Sequence, residues 1–111
     1  MAAAYVLTTT TNDQFMFNLR AGNNEIILTS ETYVSESGAE NGIESVRTNS
    51  PIDDRYDRRT SSGGDPYFVL KAANGEIIGR SEMYSTTAVM ETGIESVKTN
   101  RAGAPVEDRT A

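Results

Sequence analysis

The chain has 111 residues, 37% hydrophobic and 23% charged, a formal net charge of −6, and no cysteine, histidine or tryptophan. That suits one hydrophobic core and is short for two ordinary domains. It excludes disulfides, thiolate nucleophiles, zinc-thiolate sites and histidine-mediated proton transfer. The acidic balance repels a phosphate backbone at long range, no apolar run approaches the ~20 residues of a membrane-spanning helix, and a cytoplasmic protein is expected.

Ala4 to Thr9 reads as a strand ending in a polar turn at Thr10 to Asp13. Phe15, Phe17, Leu19 and Ala21 then alternate with polar or flexible residues, the period of a half-buried strand. Asn23-Asn24 turns the chain into a strand from Glu25 to about Glu31. Ser35 is placed to N-cap a helix whose buried face is Ala39, Gly42, Ile43 and Val46. Asn49 stands where a left-handed C-terminal cap would end it. Pro51 and Asp53-Asp54 lead into a strand from Arg55 to Thr60.

The same order then recurs. Gly63-Gly64 marks a turn, and Phe68, Leu70 and Ala72 form the next alternating face. Asn74-Gly75 is the favoured pair for a type I′ hairpin. A strand from Glu76 to Glu82 follows, then a helix capped by Thr86 or Ser85 with Met90, Gly93, Ile94 and Val97 on one face. Asn100 mirrors Asn49, and Pro105 leads into a last strand. Gly42 and Gly93 each weaken their helix by about 1 kcal/mol relative to alanine, which predicts a close approach of helix to sheet.

The recurrence is a duplication with an offset of 51 positions and no gap. Gly42-Ile43-Glu44-Ser45-Val46-Arg47-Thr48-Asn49 returns as Gly93-Ile94-Glu95-Ser96-Val97-Lys98-Thr99-Asn100. Glu25-Ile26-Ile27 returns as Glu76-Ile77-Ile78, and Ser30-Glu31 with Tyr33 as Ser81-Glu82 with Tyr84. Tyr56 and Thr60 match Tyr5 and Thr9, while Asp57-Arg58 match Asp108-Arg109. The segment near 55–60 therefore closes the first repeat (about 4–60) and opens the second (about 55–110), within one domain over residues 1–111. Either unit alone buries too little to stand by itself. The expected fold is α+β: two tandem β3-α-β units pooling one antiparallel sheet, both helices on one face and terminal strands exchanged.

At Ala72-Ala73-Asn74-Gly75-Glu76-Ile77-Ile78, Ser81-Glu82-Met83-Tyr84 and Gly93-Ile94-Glu95-Ser96-Val97 the chain resembles the YegP-like family of small bacterial proteins. Copy one departs at Gly22-Asn23-Asn24 and returns to the pattern at Asn41-Gly42-Ile43. The resemblance extends from about Tyr5 to Thr110 and implies paired β3-α-β units with swapped C-terminal strands. It implies no activity, cofactor or partner.

Polar residues kept in both copies are the natural site candidates, led by Glu31 with Tyr33 and Glu82 with Tyr84. They offer a symmetric pair of carboxylate-hydroxyl sites, yet without a histidine, a metal cluster or a second acid they make no convincing catalytic set. Ser45 and Ser96 lie within helices with no basic partner in view, and Ser30 and Ser81 read as groups that satisfy local backbone. Arg55, Arg58 and Arg59 beside Tyr56 are the one basic-aromatic concentration, which gives weak nucleic-acid (phosphate) binding as the alternative, opposed by Asp53, Asp54 and Asp57, with a hydrolase built on Glu and Tyr or Ser as the third reading. The sequence thus points to a non-catalytic module, with no cofactor or metal, that binds a protein or small ligand through the open sheet face or its edges. A homodimer is the other partner expected, and nucleic acid is disfavoured.

Overall fold

A computed structural model describes residues 3–23, 25–100 and 104–110. Strands β1 (Ala4–Thr9), β2 (Phe15–Arg20) and β3 (Ile26–Ser30) precede helix α1 (Glu36–Asn49), and a 3-10 turn at Asp53–Arg55 leads into β4 (Tyr56–Thr60). Then come β5 (Pro66–Lys71), β6 (Ile77–Arg80), helix α2 (Thr87–Asn100) and the short β7 (Val106–Asp108). All seven strands form one sheet in the order β4-β5-β6-β3-β2-β1-β7. The two meanders therefore meet at β6 and β3, β4-β5-β6 of one running into β3-β2-β1 of the other, and neither unit has a sheet of its own.

Alternation decides which face is buried. Tyr5, Leu7, Phe17, Leu19, Leu28, Phe68 and Leu70 point to one side, where Ala39, Ile43 and Val46 of α1 and Met90, Ile94 and Val97 of α2 complete a single core. Each first-strand tyrosine meets a phenylalanine edge to face, Tyr5 with Phe17 and Tyr56 with Phe68. Burying these apolar stripes at ~25 cal/mol per Å² is what holds helices that carry a glycine in mid-sequence.

At the β3-β6 junction the copies differ for a steric reason. Gly79 is the counterpart of Leu28, and a Cβ on it would lie 2.8 Å from the Thr29 carbonyl oxygen and 3.1 Å from Leu28 Cγ. At this junction Leu28 carries its side chain and position 79 has no room for one.

Several expectations are corrected. Gly75 has φ 86°, but Asn74 is not in the left-handed region, so the hairpin is not type I′. Gly75 N–H instead donates to the Ala72 carbonyl at 2.9 Å, and the register shifts between Leu70 and Lys71, a type I turn with a bulge. In copy one Asn24 lies outside the described residues, while Leu19 and Arg20 carry the same shift. Ser35 and Thr86 do cap their helices, accepting from Gly38 and Val89 N–H. Asn49 and Asn100 do not take the left-handed conformation. Each turns its amide back onto the helix, at 2.9 Å to the Ser45 carbonyl and 2.8 Å to the Ser96 carbonyl.

The sheet is not wholly antiparallel, because β7 pairs with β1 in parallel, Tyr5 opposite Val106 and Leu7 opposite Asp108. The end of unit two therefore lies on the first strand of unit one. The matching segment of unit one continues directly into β4, which pairs with β5 on one side. The helix cations grip these crossing segments in equivalent ways. Arg47 sits over the Tyr5 ring and donates to the Ala104 carbonyl, and Lys98 sits over the Tyr56 ring and meets Asp53. Ala104 and Asp53 are themselves repeat equivalents.

Candidate functional site

The three arginines do not form one surface. Arg55 closes the 3-10 turn and donates to Asn49 Oδ1 at 3.0 Å. Arg58 points to the helix side of β4, where Nε and Nη2 engage Glu91 and Nη2 also meets Asp53 at 3.0 Å. Arg59 points to the opposite face and pairs with Asp57 at 2.9 Å. Strand alternation separates neighbours in the sequence, so the phosphate-binding reading loses its cluster.

The tyrosine-glutamate candidates do converge, and each set is completed by the other unit. Glu31, Tyr33, Gly42 and Ser45 of unit one line a cleft of about 340 Å³ with Ala72, Glu76 and Ile78 of unit two. At the equivalent place, Tyr84, Gly93 and Ser96 line a cleft of about 280 Å³ with Ala21, Glu25 and Ile27. It opens into a neighbouring depression that adds Glu82. Glu25 and Glu76 stand directly after the hairpin turns, on chain that the β3-β6 pairing brings beside the other unit's tyrosine. Sequence reading noticed their repetition without assigning them to the site; the missing element was the crossing of units.

Local structure fixes each tyrosine. Tyr33 and Phe15 exchange backbone hydrogen bonds of 2.7 Å, and Tyr84 N–H donates to the Pro66 carbonyl at 2.8 Å. The rings stack on Phe17 and Phe68 with centroids 6.4 Å apart in both copies. Each phenol oxygen lies over a helix glycine, and a Cβ on Gly42 or Gly93 would collide with it. The predicted close approach is thus real, but it is chiefly the phenol beyond the third strand that needs the room. Ser30 Oγ accepts from Phe17 N–H at 2.9 Å and donates to the Glu31 carbonyl at 2.7 Å. Ser81 does the same for Phe68 and Glu82. These hydroxyls hold the backbone of the two glutamates, as expected of them.

Burial, then the Glu31 and Glu76 carboxylates, raise the Tyr33 phenol above its ordinary range; burial, Glu82 and Glu25 do so for Tyr84. Both phenols therefore stay protonated at neutral pH. None of Glu25, Glu31, Glu76 and Glu82 has a salt bridge or side-chain hydrogen bond among the described residues. Most of the cations are otherwise engaged: Arg47, Arg58, Arg59, Lys71, Lys98 and Arg109 all have carboxylate partners. Ser45 and Ser96 accept from Asn49 and Asn100 amides. Among the described residues no group of three or more acidic side chains is arranged to hold a metal ion. No helix among them is long and apolar enough to cross a membrane.

The family described as Domain of unknown function (DUF1508) matches this sequence twice, over residues 11–57 and 61–108. The chain belongs to that family. A UPF0339 protein of Bordetella pertussis is 54% identical over 108 residues, covering 97% of both chains. The UPF0339 protein YegP of Escherichia coli K12 is 53% identical over 110 residues, covering 99% of this chain and 100% of its own. The solution structure of yegP from E. coli, titled a protein of unknown function, superposes with a TM-score of 0.94 at 52% identity, over 100% of this chain and 96% of that one. That of a UPF0339 protein from Shewanella oneidensis gives 0.92 at 54% identity, over 99% and 93%. The α+β tandem architecture of this DUF1508 chain is thus shared with solved relatives, whose names assign no activity.

Proposed function

We propose that this chain is a binding module, not an enzyme, whose two equivalent clefts each take one cationic group, a primary amine or a guanidinium. The observation that carries this reading is the pair of carboxylates without ion-pair partners among the described residues, flanking a protonated phenol, present twice. A cation between Glu31 and Glu76 gains attraction from both charges and from the phenol oxygen, while its aliphatic stem lies on Ala72 and Ile78. Glu25, Glu82, Ala21 and Ile27 offer the same to a second ligand. The clefts are open to water, so each ion pair contributes only about 0.2–1 kcal/mol and affinity falls in the millimolar range.

Agmatine, which carries both an amine and a guanidinium, is a suitable probe. Titration followed by amide and aromatic NMR shifts should show two sites, one around Tyr33 and one around Tyr84, weakened by salt. Glu31→Gln with Glu76→Gln should silence the first and spare the second, and Glu82→Gln with Glu25→Gln the reverse. Absence of saturable shifts, or shifts that persist in the quadruple variant, refutes the proposal. Turnover of an ester, phosphoester or peptide that depends on Glu31 or Glu82 refutes its non-catalytic part.

A further inference from the structure

The two tyrosine clefts share their carboxylates, phenols and strand residues but differ on the helix wall. In the Tyr33 cleft α1 contributes Gly38 and Asn41, and at the equivalent positions of the Tyr84 cleft α2 contributes Val89 and Thr92. Every other lining position carries the same residue in both copies.

Equivalent caps fix where the differing residues stand. Gly38 N–H donates to Ser35 Oγ at 3.0 Å, and Val89 N–H donates to Thr86 Oγ1 at 3.1 Å. A Cβ on Gly38 would lie 3.5 Å from Tyr33 Cβ and 3.6 Å from Cδ1, in ordinary contact with the ring. Val89 carries that carbon, with two methyl groups beyond it, into the matching place beside Tyr84. It is 46% exposed, so its apolar surface is open to a ligand. One helical turn on, Asn41 is exposed and its carboxamide has no hydrogen-bond partner among the described residues. Thr92 instead commits its hydroxyl to its own helix, donating to the Ala88 carbonyl at 3.2 Å.

The helix walls therefore offer a cation different contacts. A guanidinium or primary ammonium is held best where each N–H meets an acceptor, and Asn41 Oδ1 adds one to the carboxylates and phenol of the first cleft. A methylated ammonium has fewer N–H groups or none; it keeps its charge and gains from apolar surface and an aromatic ring. Val89 beside the Tyr84 ring supplies that surface where the first cleft has a bare glycine. For clefts that take cations, as proposed above, we infer that the two divide them by head group. The Tyr33 cleft prefers a guanidinium or primary amine, and the Tyr84 cleft prefers an N-methylated ammonium, a trimethylammonium group above all.

Butylguanidinium and butyltrimethylammonium, which share a tail and differ in the head, test this on the full chain. Followed by NMR shifts around each tyrosine, butylguanidinium should bind the Tyr33 cleft about fivefold more tightly than the Tyr84 cleft, and butyltrimethylammonium the reverse. Val89→Gly with Thr92→Asn should give the second cleft the preference of the first. Val89→Ala, which keeps a good helix former at this position, should remove part of the methylammonium preference with less disturbance of the helix. Asn41→Ala should weaken butylguanidinium at the first cleft and leave butyltrimethylammonium there unchanged. Circular dichroism checks that each variant is folded. Saturable shifts with the same ratio of affinities at both clefts, or a ratio at the second cleft that the Val89 variants do not move, overturn the division and leave the cation clefts standing. No saturable shift with either ligand overturns both.

Discussion

Gly93→Ala tests the packing on which the second cleft depends. At an open helix position this change stabilises by about 1 kcal/mol, because glycine is the poorer helix former. Here the new methyl would run into the Tyr84 phenol oxygen and lie 2.7 Å from the ring carbon that bears it. The ring is half-buried and can swing outward, at the cost of its stacking on Phe68, about 0.5–1.5 kcal/mol, and of associated packing. Compression instead of swinging costs about 1–3 kcal/mol. Against the propensity gain, the net is a loss of about 1 kcal/mol. In a Tyr84→Ala background the obstacle is gone, and the same substitution should stabilise by about 1 kcal/mol, a coupling of about 2 kcal/mol. Urea unfolding of the four proteins by far-ultraviolet circular dichroism measures this, with the slope of the transition held constant between variants. A Gly93→Ala protein more stable than its parent, or a substitution of the same sign in both backgrounds, refutes the steric account.

Ser30→Ala and Ser81→Ala each strand a buried N–H, that of Phe17 or Phe68, and should each cost about 1–3 kcal/mol in the same unfolding assay. In an alkaline absorbance titration, Tyr33 and Tyr84 should ionise above the ordinary phenol range, Tyr33→Phe and Tyr84→Phe each removing one late step. Agmatine in the clefts should draw both steps downward. Because the folded state holds these protons more tightly, their stabilising contribution is present below about pH 10 and is lost as pH rises through the raised values. Asp53 behaves oppositely: hydrogen bonds from Lys98 and then Arg58 hold its carboxyl below the usual range. Its contribution is present above about pH 3.9 and lost as pH falls through the lowered value, so Asp53→Asn should flatten stability against pH on the acid side.

The duplication made most of the fold legible, because each element could be read twice. Strand β1 and the caps at Ser35 and Thr86 follow from alternation and hydroxyl placement. Asn74-Gly75 misled, because the pair fits more than one turn and the bulge at Leu70 and Lys71 decides between them. The parallel β7 was not legible from Val106-Glu107-Asp108, whose side chains are all exposed; its place is set by backbone bonds such as Tyr5 N–H to the Pro105 carbonyl. Half of each cleft was visible as Glu31 with Tyr33 and Glu82 with Tyr84. Glu76 and Glu25 were hidden because they reach the site across the β3-β6 junction between units, which no local spacing encodes.

The two copies have diverged unevenly, more on the open sheet face than in the clefts. On the open face almost every equivalent pair differs: Val6 and Asp57, Thr8 and Arg59, Met16 and Tyr67, Asn18 and Val69, Arg20 and Lys71, Thr29 and Arg80. Those differences leave the two halves of the open face chemically unlike. In the clefts Glu31, Tyr33, Glu76 and Ile78 match Glu82, Tyr84, Glu25 and Ile27 without change. Core packing accounts for the isoleucines, and the helix glycines account for the tyrosines. It does not account for Glu25, Glu76 and Glu82, which are exposed and have no ion-pair partner among the described residues. Like charges brought together beside a phenol cost stability, so their presence in both copies supports the proposed cation clefts.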